Sequence, residues 1–110
     1  MATHEAVELQ LYIENDGPFY RARTVPVLDN LAGKLRRGVF VRDLAERAFL
    51  NLATAGARDY VREHGSMSDR FDRMFPMGAR RECATALFDR YKEDIEERAG
   101  RTAAQQAGGV

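Results

Sequence analysis

The feature that most constrains this chain is a long apolar stripe between about Val41 and His64. Apolar residues recur there every three or four positions, which is the spacing of one face of an α-helix about six turns long. The members of the stripe are Leu44, Ala45, Ala48, Phe49, Leu52, Gly56, Tyr60 and Val61. This pattern predicts the longest helix of the chain, and Gly65 is expected to end it.

A second helix is predicted for residues 25–37. Thr24 suits the N-cap position and Pro26 suits the first helical turn. Gly38 predicts a left-handed stop after the last turn. The apolar stripe of this helix is Val25, Leu28, Ala32 and Leu35.

Two further helices are predicted in the second half of the chain. A short helix lies within residues 66–75, and Pro76 either ends it or opens its successor. The last helix covers residues 77–99 and stops at Gly100. Its predicted buried stripe is Ala84, Leu87, Phe88, Tyr91 and Ile95. Residues 101–110 are rich in Ala, Gln and Gly and have no apolar face, so we expect a disordered tail.

The head of the chain, residues 5–15, fits two secondary structures. Apolar and polar residues alternate there as in a strand, but the same letters place Ala6, Leu9 and Ile13 on one side of a helix. A strand needs a partner, and the only candidate is the very short segment 39–41. We therefore favour a helix that ends in a turn at residues 15–18, with the strand kept as the alternative.

These elements predict an all-α fold, a compact bundle of four or five helices that forms one domain over residues 1–100. A chain of 110 residues is large enough to fold without a metal or a disulfide. Cys83 is the only cysteine, so an intramolecular disulfide is excluded. The sequence shows neither a signal peptide nor an apolar run that could cross a membrane, which favours a cytoplasmic protein.

Gly56 stands inside the longest predicted helix, within a run of small residues from Ala53 to Ala57. Glycine in a helix interior costs about 1 kcal/mol relative to alanine. Its presence indicates that another group approaches the backbone closely at this point. We expect that group to be a neighbouring helix, either of the same chain or of a dimer mate.

Charge is unevenly distributed along a chain whose formal net charge is zero. Residues 1–17 carry four acidic residues and no basic ones, whereas residues 18–62 carry nine basic and four acidic residues. Residues 82–99 are acidic again. We expect the acidic ends to neutralise the basic middle, within one chain or across a dimer. The predicted pairs join Arg36, Arg37 or Arg42 to Glu93, Glu96 or Glu97.

The basic segment also predicts a surface for a binding partner. Its side chains span a helix end, a turn and the next helix start, so they could converge into one patch. The candidate partner surface is Tyr20, Arg21, Lys34, Arg36, Arg37, Phe40, Arg42 and Arg47. Nucleic acid would suit arginines that lie near aromatic rings. The neutral net charge and a pI of about 6.7 instead favour a protein partner.

The sequence contains no motif for a metal or a cofactor: it lacks paired cysteines, His-Glu-x-x-His and a glycine-rich phosphate loop. We therefore predict no catalytic, cofactor-binding or metal-ligating residue. Cys83 follows two arginines near a helix start, a position that can lower a thiol pKa. A lone cysteine on an apolar stripe is more often a small buried hydrophobe. His64 is expected to cap a helix C-terminus.

Short motifs spread over most of the chain, but not over its tail, carry a resemblance. They are Leu11-Tyr12-Ile13-Glu14-Asn15-Asp16, Phe19-Tyr20-Arg21, Pro26 with Asn30-Leu31, Ala55-Gly56-Ala57-Arg58-Asp59-Tyr60, and Phe75-Pro76 with Arg80-Arg81. Through these motifs the chain resembles a group of small uncharacterised bacterial and phage proteins for which we can name no activity. Gly17-Pro18 departs from the pattern of the group. The resemblance implies that Glu14, Asn15, Tyr20 and Arg21 serve the fold or a partner.

The resulting functional expectation is a small non-enzymatic module for protein interaction or regulation that acts as a homodimer. A nucleic-acid-binding protein that uses the arginines of residues 34–47 is the alternative, and a small enzyme is the third possibility. Surface charge indicates a class of partner and does not identify a molecule.

Overall fold

The computed structural model describes residues 3–64 and 71–108. Its helices are α1 (His4–Asn15), α2 (Gly17–Phe19), α3 (Val25–Arg36), α4 (Arg42–Glu63), α5 (Phe71–Met74) and α6 (Met77–Gly108). A π-helical turn, Tyr20–Thr24, joins α2 to α3. The described residues contain no strand, so the predicted all-α bundle is confirmed.

The head of the chain is helical, which confirms the favoured interpretation of residues 5–15. α1 begins where the Thr3 hydroxyl accepts a hydrogen bond from the Ala6 backbone N–H at 3.2 Å. This is the usual arrangement of an N-cap. The buried residues of α1 are those of the helical stripe, Ala6, Leu9 and Ile13.

A single residue separates α1 from α2. Asp16 has an extended backbone, and its carboxylate accepts a hydrogen bond from the Phe19 N–H at 2.8 Å. The turn predicted over residues 15–18 is therefore wrong in extent, because Gly17 and Pro18 already belong to the next helix. Proline fits the first turn of a helix, where its missing N–H is not needed.

α2 continues into α3 through the π-helical turn. The Val25 N–H donates to the carbonyl of Tyr20, five residues earlier. This wider turn directly precedes Pro26, whose ring would crowd the preceding turn of a regular helix. The predicted N-cap at Thr24 is wrong, because the backbone there is already helical. The Thr24 side chain is fully buried, and its hydroxyl has no partner within the described residues.

α3 ends at Arg36, and the left-handed stop follows at Gly38, as the sequence predicts. Gly38 has a φ of +74°, a left-handed conformation that glycine adopts without strain. Its N–H donates to the Leu35 carbonyl at 3.1 Å, and the Val39 N–H donates to the Lys34 carbonyl at 2.9 Å. This pair of bonds is a Schellman motif. The chain then enters α4 after the extended residue Val41.

α4 confirms the long apolar stripe and runs to Glu63, with His64 at its C-cap. The predicted stop at Gly65 lies outside the described residues. The stripe differs from the prediction at Leu44, which is 43% exposed. The core-facing side begins at the next residue, Ala45, and continues to Val61. The buried residues of α4 are Ala45, Phe49, Leu52, Ala53, Gly56, Ala57 and Val61.

α6 packs antiparallel to α4. The rings of Phe49 and Phe88 lie 5.4 Å apart, and further along the pair Arg80 donates to the Thr54 hydroxyl at 3.2 Å. α6 supplies a large share of the core, and its predicted stripe is confirmed apart from the half-buried Phe88. The core residues of α6 are Cys83, Ala84, Leu87, Tyr91, Ile95 and Ala99.

The last helix is longer than the sequence predicts. α6 passes through Gly100 and keeps helical backbone as far as Gly108. The predicted helix end at Gly100 is therefore wrong, whereas the disorder expected from residue 101 stays a prediction. Alanine and glutamine are good helix formers, and one interior glycine costs only about 1 kcal/mol. Residues 109–110 lie outside the described residues.

The connection before α6 agrees with the sequence where it is described. α5 falls within the predicted short helix, of which residues 66–70 lie outside the described residues. The Phe75 side chain is buried. The buried Arg80 donates from Nε to the Phe75 carbonyl at 2.9 Å, which ties the start of α6 to the turn at Pro76.

Candidate interaction surface

The α4–α6 pair has two different faces, and α1 covers one of them. We call this side the covered face. α1 runs parallel to α6, since the Thr3 N–H donates to Glu82 at 2.7 Å and Arg90 pairs with Glu14 at 3.1 Å. The covered face is formed by Gly56, Asp59 and Tyr60 of α4 together with Glu82 and Arg90 of α6.

α1 approaches the backbone of α4 closely at Gly56. A Cβ atom at this position would lie 2.5 Å from both Cδ1 and Cγ1 of Ile13, and 3.5 Å from Cζ of Phe19. Carbon atoms do not approach that closely without a shift in the neighbour. The predicted close contact is confirmed, and the neighbour belongs to the same chain.

Two tyrosines join α1 to α4 by reciprocal hydrogen bonds. The Tyr12 hydroxyl donates to Asp59, and the Tyr60 hydroxyl donates to Glu8, each at 2.6 Å. The two rings meet edge to face with centroids 5.2 Å apart. We call this group the tyrosine clasp. Sequence reasoning missed it, because the four residues are remote in sequence and come together only when the helices pack.

The clasp raises the pKa of both phenols above the usual value. For Tyr12 the main cause is burial of the side chain, followed by the hydrogen bond and the negative charge of Asp59. For Tyr60 the main cause of the raised pKa is the hydrogen bond to Glu8, followed by burial. Both causes favour the protonated phenol, since a phenolate here would face a carboxylate.

Ion pairs between helices do not follow the predicted scheme. Arg98 of α6 pairs with Asp29 of α3 at 2.8 Å and with Asp94 of its own helix at 2.9 Å. Arg42 pairs with Glu46, one turn ahead in α4, at 3.1 Å. Among the described residues, no ion pair joins Arg36, Arg37 or Arg42 to Glu93, Glu96 or Glu97. The pairing expected within one chain is therefore not found among the described residues, and pairing across a dimer stays a prediction.

The opposite side of the α4–α6 pair is not covered by α1, and we call it the open face. It contains a groove of about 400 Å³ between the first half of α4 and the first half of α6. Within the described part of the chain, only these two helices line it. The lining residues are Arg42, Asp43, Glu46, Arg47, Leu50, Arg81, Ala84, Thr85, Phe88 and Asp89.

The groove combines an apolar floor with walls of both charges. Leu50, Ala84 and Phe88 supply apolar surface, and the Arg42 guanidinium lies 5.7 Å from the centre of the Phe88 ring. Such a distance allows a cation–π contact. The walls carry three arginines and three acidic residues. An apolar floor within a polar rim is the usual composition of a surface that binds another polypeptide.

The turn before α4 exposes a second group of apolar side chains, which we call the corner patch. Leu35 is 36% exposed, Val39 54%, Val41 48% and Leu44 43%. The sequence predicts the turn but not this exposure, because it assigns Leu35 and Leu44 to buried stripes. Exposed large hydrophobic residues near one turn are typical of interaction sites.

The predicted partner surface is divided by the fold. Arg42 and Arg47 line the groove, whereas Lys34, Arg36 and Arg37 lie at the end of α3. Phe40 packs against the hydrophobic core.

The two residues from the π-helical turn lie elsewhere. Tyr20 is half-buried with its ring 6.4 Å from that of Tyr91, and its hydroxyl is 3.4 Å from Nη2 of Arg98. Arg21 is exposed. Sequence reasoning missed Arg81, Thr85 and Asp89, although their spacing of four residues on α6 marks a solvent-facing stripe.

Cys83 and His64, the two residues considered for a reactive role, take part in core packing and in helix capping. Cys83 is fully buried, and burial, with a smaller contribution from the charge of Glu14, raises its thiol pKa to about 12. A thiol in this state is not nucleophilic at neutral pH. His64 places Nδ1 2.8 Å from the Tyr60 carbonyl and stacks on the Tyr60 ring, which confirms its role as a helix cap. Neither residue lines the groove.

Three carboxylates converge where α2 starts near the end of α4. Oxygens of Asp16, Asp59 and Glu63 lie within 4.8 Å of one another. Two of these groups already accept hydrogen bonds that hold the fold: Asp16 caps α2 and Asp59 belongs to the clasp. The cluster was not predicted, since its members come from different helices.

Comparison with known proteins adds no family and no relative: no family model matches the chain, and neither a curated protein nor a solved structure matches it. Among the described helices, none is both long enough and apolar enough to cross a lipid bilayer.

Proposed function

We propose that this protein is a non-enzymatic module that binds another polypeptide through the open face of α4 and α6. The observation that carries the proposal is the groove, an apolar floor within charged walls on the side of the helix pair that α1 leaves uncovered. Grooves between two helices are a recurrent docking site for amphipathic helices. The corner patch extends the available apolar surface at the start of α4.

The charges of the groove favour a polypeptide over a nucleic acid. A phosphate backbone needs an excess of positive charge, since its affinity comes from neutralised phosphates. Here three acidic side chains balance the three arginines, and Arg42 is already paired with Glu46. A polypeptide can match walls of both signs with its own acidic and basic side chains.

Site-specific photocrosslinking in the native host tests the proposal. A photoreactive amino acid at Thr85, an exposed residue of the groove, is expected to give a covalent adduct with a protein. The matched control places the same amino acid at Arg62, which is exposed on α4 but outside the groove. An adduct at Thr85 and none at Arg62 supports the proposal. Equal yields at the two positions would overturn it.

A titration with labelled oligonucleotides separates the nucleic-acid alternative. Binding to phosphates is weakened by added salt. We expect no such salt-dependent binding of duplex or single-stranded DNA, because the groove has no net positive charge. Salt-dependent binding that is lost in the Arg42→Ala and Arg47→Ala variants would favour the nucleic-acid function instead.

A further inference from the structure

Three residues on the open face of α6 form a stripe with opposite charges at its ends. Arg81, Thr85 and Asp89 follow one another at intervals of four residues, and all three are exposed. Residues four apart lie on the same face of a helix. Arg81 and Asp89 therefore stand about 6 Å on either side of Thr85 along the helix axis.

Neither end of this stripe is neutralised by another described residue. Among the described residues, Arg81 and Asp89 make no ion pair, although other arginines of the same helix do. The Arg81 side chain is exposed, and the Thr85 hydroxyl between the two charges donates to the Arg81 backbone carbonyl at 3.1 Å. Both charges thus remain available to a partner.

We infer that the occupant of the open face is a second copy of this chain, bound with the two α6 helices antiparallel around a two-fold axis at Thr85. A two-fold interface pairs residue i with residue j and residue j with residue i. With the axis at Thr85, Arg81 meets the partner's Asp89 and Asp89 meets the partner's Arg81. The charges of the stripe therefore match those of an identical stripe that runs in the opposite direction, as a two-fold interface requires.

The surroundings of the stripe fit the same arrangement. Ala84 is small and allows the two helices to approach, while Phe88 supplies apolar area beside it. The α4 wall carries two arginines and two acidic residues, so two copies of the face meet without an excess of one sign. A partner of strong single charge would lack this match.

This inference rests on the proposed function, because it names the polypeptide that the open face binds. It goes further in fixing the register of the two helices and the reciprocal ion pairs. A different protein that docks in the groove would not need to pair with Arg81 and Asp89 reciprocally, as a second copy of the chain does. The symmetry can therefore be tested separately from binding itself.

Charge reversal tests the register. We expect the wild-type chain to form a dimer in sedimentation velocity and native mass spectrometry. R81D or D89R alone places like charges opposite each other twice, which should weaken the dimer about tenfold or more. An equimolar mixture of the two single variants restores both pairs, and so does the double variant R81D/D89R. The mixture and the double variant should each recover the dimer.

The control is R62D, which reverses an exposed charge outside the groove and should leave the dimer unchanged. Circular dichroism of each variant verifies that the helices are retained. A monomeric wild type, single variants that still dimerise, or a mixture that fails to recover would each overturn the inference. An adduct of Thr85 with a different protein would then preserve the proposed function and exclude the second copy as its partner. If the photoreactive residue at position 85 gave no specific adduct with any protein, the proposed function itself would be overturned.

Discussion

The covered and open faces of the α4–α6 pair differ in what lies against them, since α1 packs on the first and, among the described residues, only α4 and α6 line the groove of the second. On the covered face, Gly56 admits Ile13 to near contact, and the hydroxyls of Tyr12 and Tyr60 reach carboxylates across the helix boundary. On the open face, long charged side chains surround a groove, and no such contact with another helix fills it among the described residues.

The difference is one of shape and of polar satisfaction. Small residues on the covered face let the helix axes approach, and every clasp hydroxyl has a partner. On the open face, arginines and carboxylates keep their charges in solvent and cover part of the apolar floor with their stems. Substitutions on the covered face should therefore change folding stability, whereas substitutions on the open face should change association.

The largest effect is expected at Gly56. Gly56→Leu forces a side chain into the space of Ile13 and should lower the free energy of unfolding by about 3 kcal/mol or more. Gly56→Ala should still destabilise, since its Cβ would lie 2.5 Å from two Ile13 atoms. Gly100→Ala is the matched control, because nothing lies within 4 Å of a Cβ there, and it should stabilise by up to about 1 kcal/mol. Urea denaturation measures all three; equal effects at the two glycines would refute the contrast.

Cys83, which faces the core between the two faces, should give the next largest effect. Cys83→Ser buries a hydroxyl in apolar surroundings and should destabilise by about 2 kcal/mol, while Cys83→Ala should cost less. The thiol pKa is raised from 9.0 to about 12 in the folded chain. This contribution to stability is complete below pH 9 and is lost as the pH rises toward 12. Iodoacetamide should modify the thiol only at the rate of unfolding, and rapid modification of the native protein would contradict its burial.

The tyrosine clasp should contribute less, because its members are only partly buried. Tyr12→Phe removes the donor to Asp59 and should cost about 1 kcal/mol. The raised pKa of Tyr12 and Tyr60 means that the folded chain retains phenol protons that the unfolded chain releases above about pH 10. Stability should therefore fall as the pH rises above 10, and less steeply in Tyr12→Phe. Thermal melts between pH 7 and 11 provide the check; identical slopes would mean that the clasp is not formed.

The smallest effect on stability is expected on the open face. Arg47→Ala removes an exposed side chain that makes no ion pair within the described residues, and it should change the free energy of unfolding by less than about 0.5 kcal/mol. Its effect should instead appear as a lower yield of the Thr85 adduct. A large loss of stability in dilute protein would show that the open face belongs to the fold of the single chain.

Local patterns in the sequence predicted much of this fold. The apolar spacing of α4, the left-handed stop at Gly38 and the inner stripe of α1 each depend on residues within a few turns of one another. Such signals are readable because helix geometry is repetitive and its end signals are local. Gly56 indicated a close contact for the same reason, although the sequence could not name Ile13.

The errors occur where distant contacts or competing signals decide the outcome. Thr24 has the composition of an N-cap, yet the helical path from α2 continues through it. Gly100 has the composition of a stop, yet the helix formers that follow it continue α6. Leu44 matches the apolar period, but its position one residue before the core-facing side leaves it exposed. In each case the local preference of one residue was weaker than the contacts or helix formers around it.

The candidate site was predictable only in part. Arg42 and Arg47 were recognised from charge, but Arg81, Phe88 and the other α6 residues of the groove come from a segment about forty residues away in the sequence. Their meeting depends on the antiparallel register of α4 and α6. That register is set by core contacts such as Phe49 with Phe88, which no local pattern specifies.

The sequence by itself determined that this chain is helical and largely where its helices lie, because helix formation depends on the periodicity and end signals of neighbouring residues. Only the tertiary structure decided which sides of α4 and α6 are covered. α1 packs where Gly56 permits close approach and where Tyr12 and Tyr60 find acceptors, and it leaves the opposite side of the helix pair uncovered. These contacts join residues that are far apart in sequence, so their energy is realised only when the whole bundle packs.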